Sequence, residues 1–220
     1  AAWGLAKAGA KVTLVHLMDR LMERQLDAEA AGMLKAEVES RGIEVVLNAE
    51  TARFIGDKYV ERVELKDGPS FPAGIVVMAA GIAPNVALAR SAGAAINRGI
   101  LVDAAMQTDI PGHYAIGECA EHEGRCVGLV EPAYEQAAVL ADTLIGRDAA
   151  YVGSIPATNL KVTGVNVFSA GDFLGATGTE QIVFRDRGLN IYKKLVIQGD
   201  RLVGAVLFGD TADGLWYLDL

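Results

Sequence analysis

The pair Gly117-Glu118 has the residue types of a binding site for a ligand that carries hydroxyl groups. We expect a short buried strand over residues 114–116 that ends at Gly117. Ligands in open α/β sheets bind beyond the carboxyl ends of the strands. Glycine has no Cβ to hold a ligand away, and Glu118 offers two acceptor oxygens to a sugar or sugar alcohol. The same short pattern is also common at ordinary turns.

A predicted helix that begins at Glu131-Pro132 and extends to Leu144 is the second candidate element. Proline suits the first helical position because its missing N–H needs no partner there. The unpaired N–H groups and the positive dipole end of a helix start stabilise negative charge, and Glu135 and Gln136 lie close to this end. Taken alone, the segment is also typical of an ordinary amphipathic helix.

Four separated stretches resemble the flavin region of the large subunit of NAD(P)H-dependent assimilatory nitrite reductases, a family within the pyridine-nucleotide-disulfide oxidoreductase superfamily. They are residues 117–122 (GECAEH), 128–137 (GLVEPAYEQA), 16–27 (HLMDRLMERQLD) and 160–172 (LKVTGVNVFSAGD). The resemblance covers most of the chain. It implies an oxidoreductase that uses FAD and NAD(P)H.

The resemblance also implies which residues bind the cofactors. The flavin ring would lie beside the helix start, and the small residues of a crossover between the two nucleotide-binding regions would approach a cofactor closely. The cofactor-binding residues implied in this way are Gly117, Glu118, Pro132, Glu135, Gln136, Gly81 and Asn85. No side chain is assigned a catalytic proton transfer, because the cofactors carry the redox chemistry.

His16 is the candidate residue at the NAD(P)H ribose. It ends a predicted strand over residues 12–16, and in dinucleotide-binding folds the end of this strand meets the adenosine ribose. An acid there favours a free 2′-hydroxyl, whereas a nearby arginine accommodates a 2′-phosphate. Because Asp19 and Arg20 both follow, the choice between NADH and NADPH stays open, and His16 is as well explained as a polar residue at the strand's exit.

The resemblance implies that electrons leave the flavin through an iron–sulfur cluster and sirohaem located beyond Leu220. Two alternatives remain. The electron acceptor could instead be that of a ferredoxin or rubredoxin reductase, or of a nitrate reductase electron-transfer subunit. The chain could also be a nucleotide-binding or dimerisation module without catalysis of its own.

Hydrophobic periodicity predicts the elements that position these residues. A helix capped by Asp27 and ending near Gly42 follows the first strand, and residues 43–47 form the next strand. A hairpin over residues 51–55 and 59–65 precedes a strand at 75–78. A short helix over 85–91 and a strand at 100–102 precede the segment that contains Gly117-Glu118.

From residue 151 onward, short apolar runs separated by glycine and aspartate predict an antiparallel sheet, with a hairpin turn at Gln198-Gly199-Asp200. The predicted fold class is therefore α/β, with partial Rossmann-like FAD/NAD(P)-binding domains followed by a small α+β C-terminal interface domain. We place the NAD(P)H-binding part at residues 1–79, the flavin segment at 80–149 and the interface domain at 150–220. In the family a glycine-rich loop precedes the first helix, and we expect these 220 residues to lack that loop. By themselves they should therefore bind NAD(H) weakly and hold FAD poorly.

Composition excludes several classes. The net charge is −8 and no Lys/Arg cluster occurs, which argues against nucleic-acid binding. The absence of an apolar run of about 18 residues argues against a membrane span, and we expect a cytoplasmic protein.

Cys119 and Cys126 do not form a C-x-x-C pair, and the three histidines are scattered, so we expect neither a redox disulfide nor a metal site. A homodimer through the C-terminal domain is expected from the family.

Overall fold

The computed structural model describes residues 1–220, which form two compact units. One unit combines Ala1–Val77 with Ile155–Leu220, and the other is Met78–Ser154. None of the helices combines the length and the hydropathy that a bilayer crossing requires. The division of the chain into the three domains named above stays a prediction.

The first unit opens with a small parallel sheet. Helix α1 (Ala2–Lys7) precedes strand β1 (Val12–Val15), and helix α2 (Ala28–Ser40) leads to strand β2 (Ile43–Val46). Strands β1 and β2 pair in parallel. The side chain of Asp27 accepts a hydrogen bond from the Ala30 N–H, which confirms the predicted cap of α2. The alternation of strand, helix and strand is thus the one that the sequence predicts.

A three-stranded antiparallel meander follows, with β3 (Thr51–Ile55), β4 (Arg62–Leu65) and β5 (Ser70–Pro72). The predicted hairpin is confirmed, although its second strand begins at Arg62 rather than at residue 59. The strand predicted at residues 75–78 is wrong, since no strand occurs there. Ile75 is 78% exposed, and no neighbouring strand supplies the hydrogen-bond partners that a buried parallel strand needs.

The C-terminal segment forms a five-stranded antiparallel sheet in the order β10-β11-β12-β9-β8. Its strands are β8 (Ala157–Val162), β9 (Val165–Gly171), β10 (Glu180–Asp186), β11 (Ile191–Gln198) and β12 (Arg201–Phe208). The turn between Gln198 and Arg201 closes the predicted hairpin. Helix α5 (Gly214–Asp219) follows the sheet. The predicted antiparallel sheet is confirmed.

Helix α2 and the antiparallel sheet share one hydrophobic core. Leu34 and Val38 of the helix lie in the same buried cluster as Val167, Val206 and Phe208 of the sheet. This packing joins two segments that lie far apart in the sequence. The unit is therefore held together by non-local burial of apolar side chains.

The second unit contains helix α3 (Ala87–Ser91), strand β6 (Ile100–Val102), strand β7 (Ala120–His122) and helix α4 (Val130–Leu144). Strands β6 and β7 pair in parallel. A small core of Ile100, Ala115 and Ala120 supports them. The unit positions most of the predicted site residues.

Candidate functional site

A single 3₁₀ turn, Gly117–Cys119, carries the two residues on which the site was predicted. The strand predicted at residues 114–116 is wrong. Tyr114 forms only an isolated bridge with Gln107, and the strand of this region is β7, which begins after the turn. Gly117 has a φ of +77°, a left-handed conformation that interrupts an extended chain. The turn, rather than a strand end, therefore orients Glu118.

The backbone of Gly117 is tied to helix α4. Its N–H donates a hydrogen bond to Oε1 of Gln136 at 2.7 Å. Gln136 is 2% exposed and Gly117 is half-buried, so the bond is partly shielded from water. It joins the 3₁₀ turn to the second turn of the helix.

Helix α4 begins at Val130, one residue before the predicted start, so Pro132 occupies the third helical position instead of the first. Proline remains suitable there because the N–H groups of the first turn have no partner within the helix. The N-cap residue Leu129 contributes no side-chain hydrogen bond. The N–H groups of Val130 and Glu131 are therefore available to an acceptor from outside the helix.

Glu118 and the first turns of α4 enclose a cleft of about 300 Å³. Its lining residues are Glu118, Gly128, Leu129, Val130, Ala133, Tyr134 and Ala137. The volume is at the low end of the roughly 300–1,000 Å³ found for small-molecule pockets, so it suits one ring system rather than a whole dinucleotide. A carboxylate and a helix start at the rim of mostly apolar walls are a suitable combination of groups for a flavin ring and its sugar alcohol chain.

Gly128 lines this cleft at a position with little room for a side chain. A Cβ at this position would lie 3.2 Å from Cδ1 of Ile82 and 3.8 Å from Oε1 of Glu118. The first distance is tighter than ordinary van der Waals contact, so a side chain would push into the wall or toward the carboxylate. The residues present therefore fit an FAD ring.

Glu135, by contrast, is occupied by the chain itself. Its Oε2 accepts a hydrogen bond from the Ser154 hydroxyl, and that hydroxyl also lies 2.6 Å from the Tyr151 hydroxyl. Glu135 does not line the cleft. Its contacts favour a role in holding the segment after α4 against the helix.

Gly81 and Asn85 also lie outside the cleft lining. Gly81 adopts a φ of +91°, which favours glycine. Oδ1 of Asn85 is 3.4 Å from the N–H of Ala87, at the start of α3. Of the predicted site residues, Glu118 alone is among the lining residues of the cleft. Gly117 and Gln136 are joined by a hydrogen bond next to it, and Pro132 is buried in the adjoining helix turn.

His16 belongs to the first unit, directly after β1. Its Nε2 lies 3.2 Å from Oε2 of Glu23. Arg20 Nη1 is bound to the carboxylate of Asp19 at 3.0 and 3.2 Å, while its Nε is buried without a partner. The region after β1 therefore presents the carboxylates of Asp19 and Glu23 together with two arginines, Arg20 bound to Asp19 and the exposed Arg24, whose Nε lies 3.8 Å from Oε1 of Glu23.

Glu121 is a residue whose role the sequence reasoning missed. No role is predicted for it from the sequence, but it is 2% exposed. Its carboxylate accepts hydrogen bonds from Asn97 Nδ2 and from the N–H groups of Arg98 and Gly99, at 2.8, 2.9 and 2.7 Å. The Gly99 N–H, followed by the Asn97 amide, lowers the pKa of this carboxyl.

A buried carboxylate with three donors fixes the loop before β6 to strand β7. It thereby supports the turn that carries Glu118, three residues earlier. One pattern could have indicated this: an acid inside a short strand, with an Asn-Arg-Gly turn before the strand that pairs with it. No metal-binding group of three or more His, Cys, Asp or Glu side chains occurs in the chain.

A larger cleft of about 480 Å³ lies on the antiparallel sheet of the first unit. Its walls include Phe184, Leu195 and Tyr217, and Lys193 of this cleft is bound to Asp210 and Asp213 at 2.7 and 3.0 Å. Lys193 is thus neutralised by two aspartates, whereas the carboxylate of Asp186 accepts a hydrogen bond from the Leu189 N–H. No helix N-terminus is among the lining residues, so this cleft fits a flavin less well than the one beside Glu118.

Profiles of two known families match the chain. The profile of the pyridine nucleotide-disulphide oxidoreductases matches residues 1–138. That of the rubredoxin NAD+ reductase C-terminal domain matches residues 156–220.

Curated relatives agree with these matches. The chain is 49% identical over 215 residues to a nitrite reductase [NAD(P)H] of Bacillus subtilis, covering 97% of this chain and 27% of the relative. It is 43% identical over 220 residues to an assimilatory nitrate reductase electron transfer subunit of the same organism, covering 100% of this chain and 28% of the relative. The chain therefore spans about a quarter of the length of these relatives.

Solved structures show the same fold. A ferredoxin reductase from Rhodopseudomonas palustris superposes with a TM-score of 0.85 at 25% identity, covering 99% of this chain and 56% of the other. An FAD-dependent pyridine nucleotide-disulphide oxidoreductase from Desulfovibrio vulgaris gives a TM-score of 0.78 at 26% identity, covering 98% and 57%.

Proposed function

Because the chain belongs to the pyridine nucleotide-disulphide oxidoreductase family, we propose that it is part of an FAD-dependent enzyme that takes electrons from NAD(P)H and passes them toward nitrite reduction. The observation that carries this proposal is the cleft in which Glu118 faces the start of α4. The 49% identity to a nitrite reductase supports the terminal acceptor.

In this proposal the residues of the second unit bind and orient the flavin. Glu118 accepts hydrogen bonds from hydroxyl groups of the sugar alcohol chain. Gly117 lets the ligand approach the backbone, and the free N–H groups at the start of the Pro132 helix stabilise negative charge on the ring. FAD, when bound, supplies the hydride-accepting chemistry. Glu135, Gly81 and Asn85 remain proposed cofactor contacts that lie outside the cleft lining.

The first unit would hold NAD(P)H, with His16 at the adenosine ribose. The position of His16 directly after β1 supports this assignment, because the ends of such strands meet the ribose in dinucleotide-binding folds. The carboxylate of Glu23 beside His16 adds a second acceptor for a ribose hydroxyl. The site requires a phosphate-binding loop, which is proposed to come from elsewhere in the protein.

Electrons are proposed to continue through an iron–sulfur cluster and sirohaem located outside these 220 residues. A second candidate function has a specific observation in its favour: identity of 43% over the whole chain to a nitrate reductase electron transfer subunit. The rubredoxin NAD+ reductase C-terminal profile supports a third acceptor, a small iron–sulfur protein. Cysteine clusters and bound sirohaem in the full-length protein would separate the first candidate from the other two.

Anaerobic titration of the full-length protein with NADH tests the proposal. We expect the flavin absorbance near 450 nm to bleach in proportion to the NADH added. If the protein binds FAD but NADH does not bleach the flavin absorbance, hydride transfer is rejected. The chain would then be interpreted as a nucleotide-binding or dimerisation module. A protein that binds no FAD would reject the flavin site itself.

A homodimer through the C-terminal domain is the proposed assembly. Strand β10 is an edge strand, and its Ile182 and Phe184 side chains are exposed. Edge strands with exposed apolar side chains favour pairing with another chain. Light scattering of the full-length protein should give twice the protomer mass, whereas a monomer that persists at high concentration would contradict this assembly.

A further inference from the structure

Gln136 is a buried polar residue of helix α4 whose side chain points back to the 3₁₀ turn. Pro132 and Gln136, one turn apart, are the buried residues of this helix. Burying an amide without a partner is costly, so such a residue is kept only where its hydrogen bond is made. Here the partner is the Gly117 N–H.

The Gly117 N–H has no other acceptor. It opens the turn Gly117–Cys119, and the first N–H groups of a 3₁₀ or α-helix lack partners within their own turn. The residue before the turn, Ile116, provides no side-chain cap. Oε1 of Gln136 therefore satisfies a half-buried donor that has no other partner in the protein.

This one hydrogen bond joins the two elements that line the cleft. Glu118 directly follows Gly117, and the helix start at Val130 lies under two turns before Gln136. A change in the length or direction of the bond would move the carboxylate relative to the helix N-terminus. The Glu118 carboxylate and the N–H groups at the start of α4 can bind the same ligand only if both lie at the correct distance and in the correct orientation. The separation between them therefore determines how well they bind it together.

We propose that Gln136 is a positioning residue that sets the separation between the Glu118 carboxylate and the first turn of α4, and so controls FAD affinity and the reduction potential of the bound flavin. Gln136 acts through Gly117 rather than on the cofactor directly. The inference rests on the proposed function, because it assumes that the cleft binds a flavin.

Three variants of the full-length protein separate positioning from general destabilisation. Gln136→Met keeps the length of the side chain but removes the acceptor. Gln136→Glu keeps an oxygen at the position of Oε1. Asp142→Asn, near the other end of α4 where Asp142 pairs with Arg147, is the control.

We expect Gln136→Met to weaken FAD binding to the apoprotein about tenfold, which corresponds to one lost hydrogen bond of about 1.4 kcal/mol. We also expect a changed midpoint potential in spectroelectrochemical titration. Gln136→Glu still places an acceptor opposite the Gly117 N–H, at the cost of burying a carboxyl group, and should therefore bind FAD more tightly than Gln136→Met but less tightly than wild type. Asp142→Asn should change neither quantity. If Gln136 only stabilised the helix, Gln136→Glu would not bind FAD more tightly than Gln136→Met.

Hydrogen exchange of the wild-type protein provides a measurement that needs no variant. The Gly117 amide should exchange at least about tenfold more slowly than an exposed loop amide, because its hydrogen bond of about 1.4 kcal/mol must open first. Rapid exchange would overturn the inference, as would equal FAD affinity and equal potential for wild type and Gln136→Met. A wild-type protein that binds no FAD would overturn the proposed function and, with it, this inference.

Discussion

The carboxylate of Asp27 lies 2.7 Å from the ammonium group of Lys194, and both side chains are buried. Asp27 caps helix α2, while Lys194 belongs to strand β11 of the antiparallel sheet. The Tyr192 hydroxyl donates a further hydrogen bond to the same carboxylate at 2.7 Å. The helix and the sheet are therefore joined by a polar cluster as well as by their common core.

Removal of Lys194 should loosen this junction. We expect Lys194→Met to lower the free energy of opening of α2 and β11 by about 3 kcal/mol, because it leaves a buried carboxylate without its cation. Native-state hydrogen exchange of the full-length protein measures this change. The control is Lys35→Met, which breaks the surface pair with Glu39 and should cost less than about 0.5 kcal/mol. Equal effects of the two variants would contradict a structural role of the buried pair.

Acid should weaken the same junction. Burial opposes ionisation of Asp27, but hydrogen bonds from Lys194, the Ala30 N–H and Tyr192 outweigh it and lower the pKa below its ordinary value of 3.8. Because the unfolded chain then binds the proton more tightly, the stabilisation is full above about pH 5 and is lost as the pH falls below about 4. We expect the thermal midpoint of Asp27→Asn to fall less steeply with acid than that of wild type. Parallel curves would exclude Asp27 as a source of the acid sensitivity.

The left-handed backbone of Gly117 should matter for the cofactor and not only for the fold. A methyl group there would lie 3.9 Å from Cβ of Ala133, an ordinary contact, so Gly117→Ala acts through backbone strain of about 1–2 kcal/mol. We expect FAD affinity to fall at least about fivefold. Gly124→Ala carries the same kind of strain at a φ of +76°, with no atom within 4 Å, and should leave FAD affinity unchanged. A similar loss in both variants would show that strain alone is responsible.

The charges after β1 should favour NADH over NADPH. Arg20 is paired with Asp19, and the carboxylate of Glu23 lies between His16 and the exposed Arg24, at 3.2 and 3.8 Å, so a 2′-phosphate next to His16 would meet a carboxylate first. Wild type should bind 5′-AMP more tightly than 2′,5′-ADP. We expect Glu23→Gln to reduce the ratio of the two dissociation constants about fivefold, because it removes a repulsion of about 1 kcal/mol between the carboxylate and the 2′-phosphate. Isothermal titration of the full-length protein measures both ligands, with Glu39→Gln on the surface of α2 as the control. Tighter binding of 2′,5′-ADP by wild type would contradict the assignment.

Local chemistry made several elements predictable. An acid before an apolar helical stripe identified the Asp27 cap, and Gln198-Gly199-Asp200 identified the hairpin between β11 and β12. Each depends on residues within a few positions of one another. Such patterns are visible in one sequence because the interactions that stabilise them are local.

The errors have the opposite origin. The apolar residues 75–78 suggested a buried strand, yet whether a strand forms depends on partners that local composition does not describe. The partners of Glu121 lie 22 to 24 residues before it, and the Gly117 N–H meets Gln136 after 19 residues. The types of the candidate site residues could thus be read from the sequence, but the distinction between groups that face the cleft and groups that hold it together could not.

The FAD affinity of Glu118→Ala tests the central claim most directly. The full-length apoprotein, titrated with FAD, should bind at least about tenfold more weakly than wild type, since a hydrogen bond to a charged acceptor contributes about 1.5–3 kcal/mol. Asp142→Ala, remote from the cleft on the same helix as Ala133, should bind FAD as wild type does. An unchanged FAD dissociation constant in Glu118→Ala would contradict the claim that this carboxylate and the start of α4 hold the flavin.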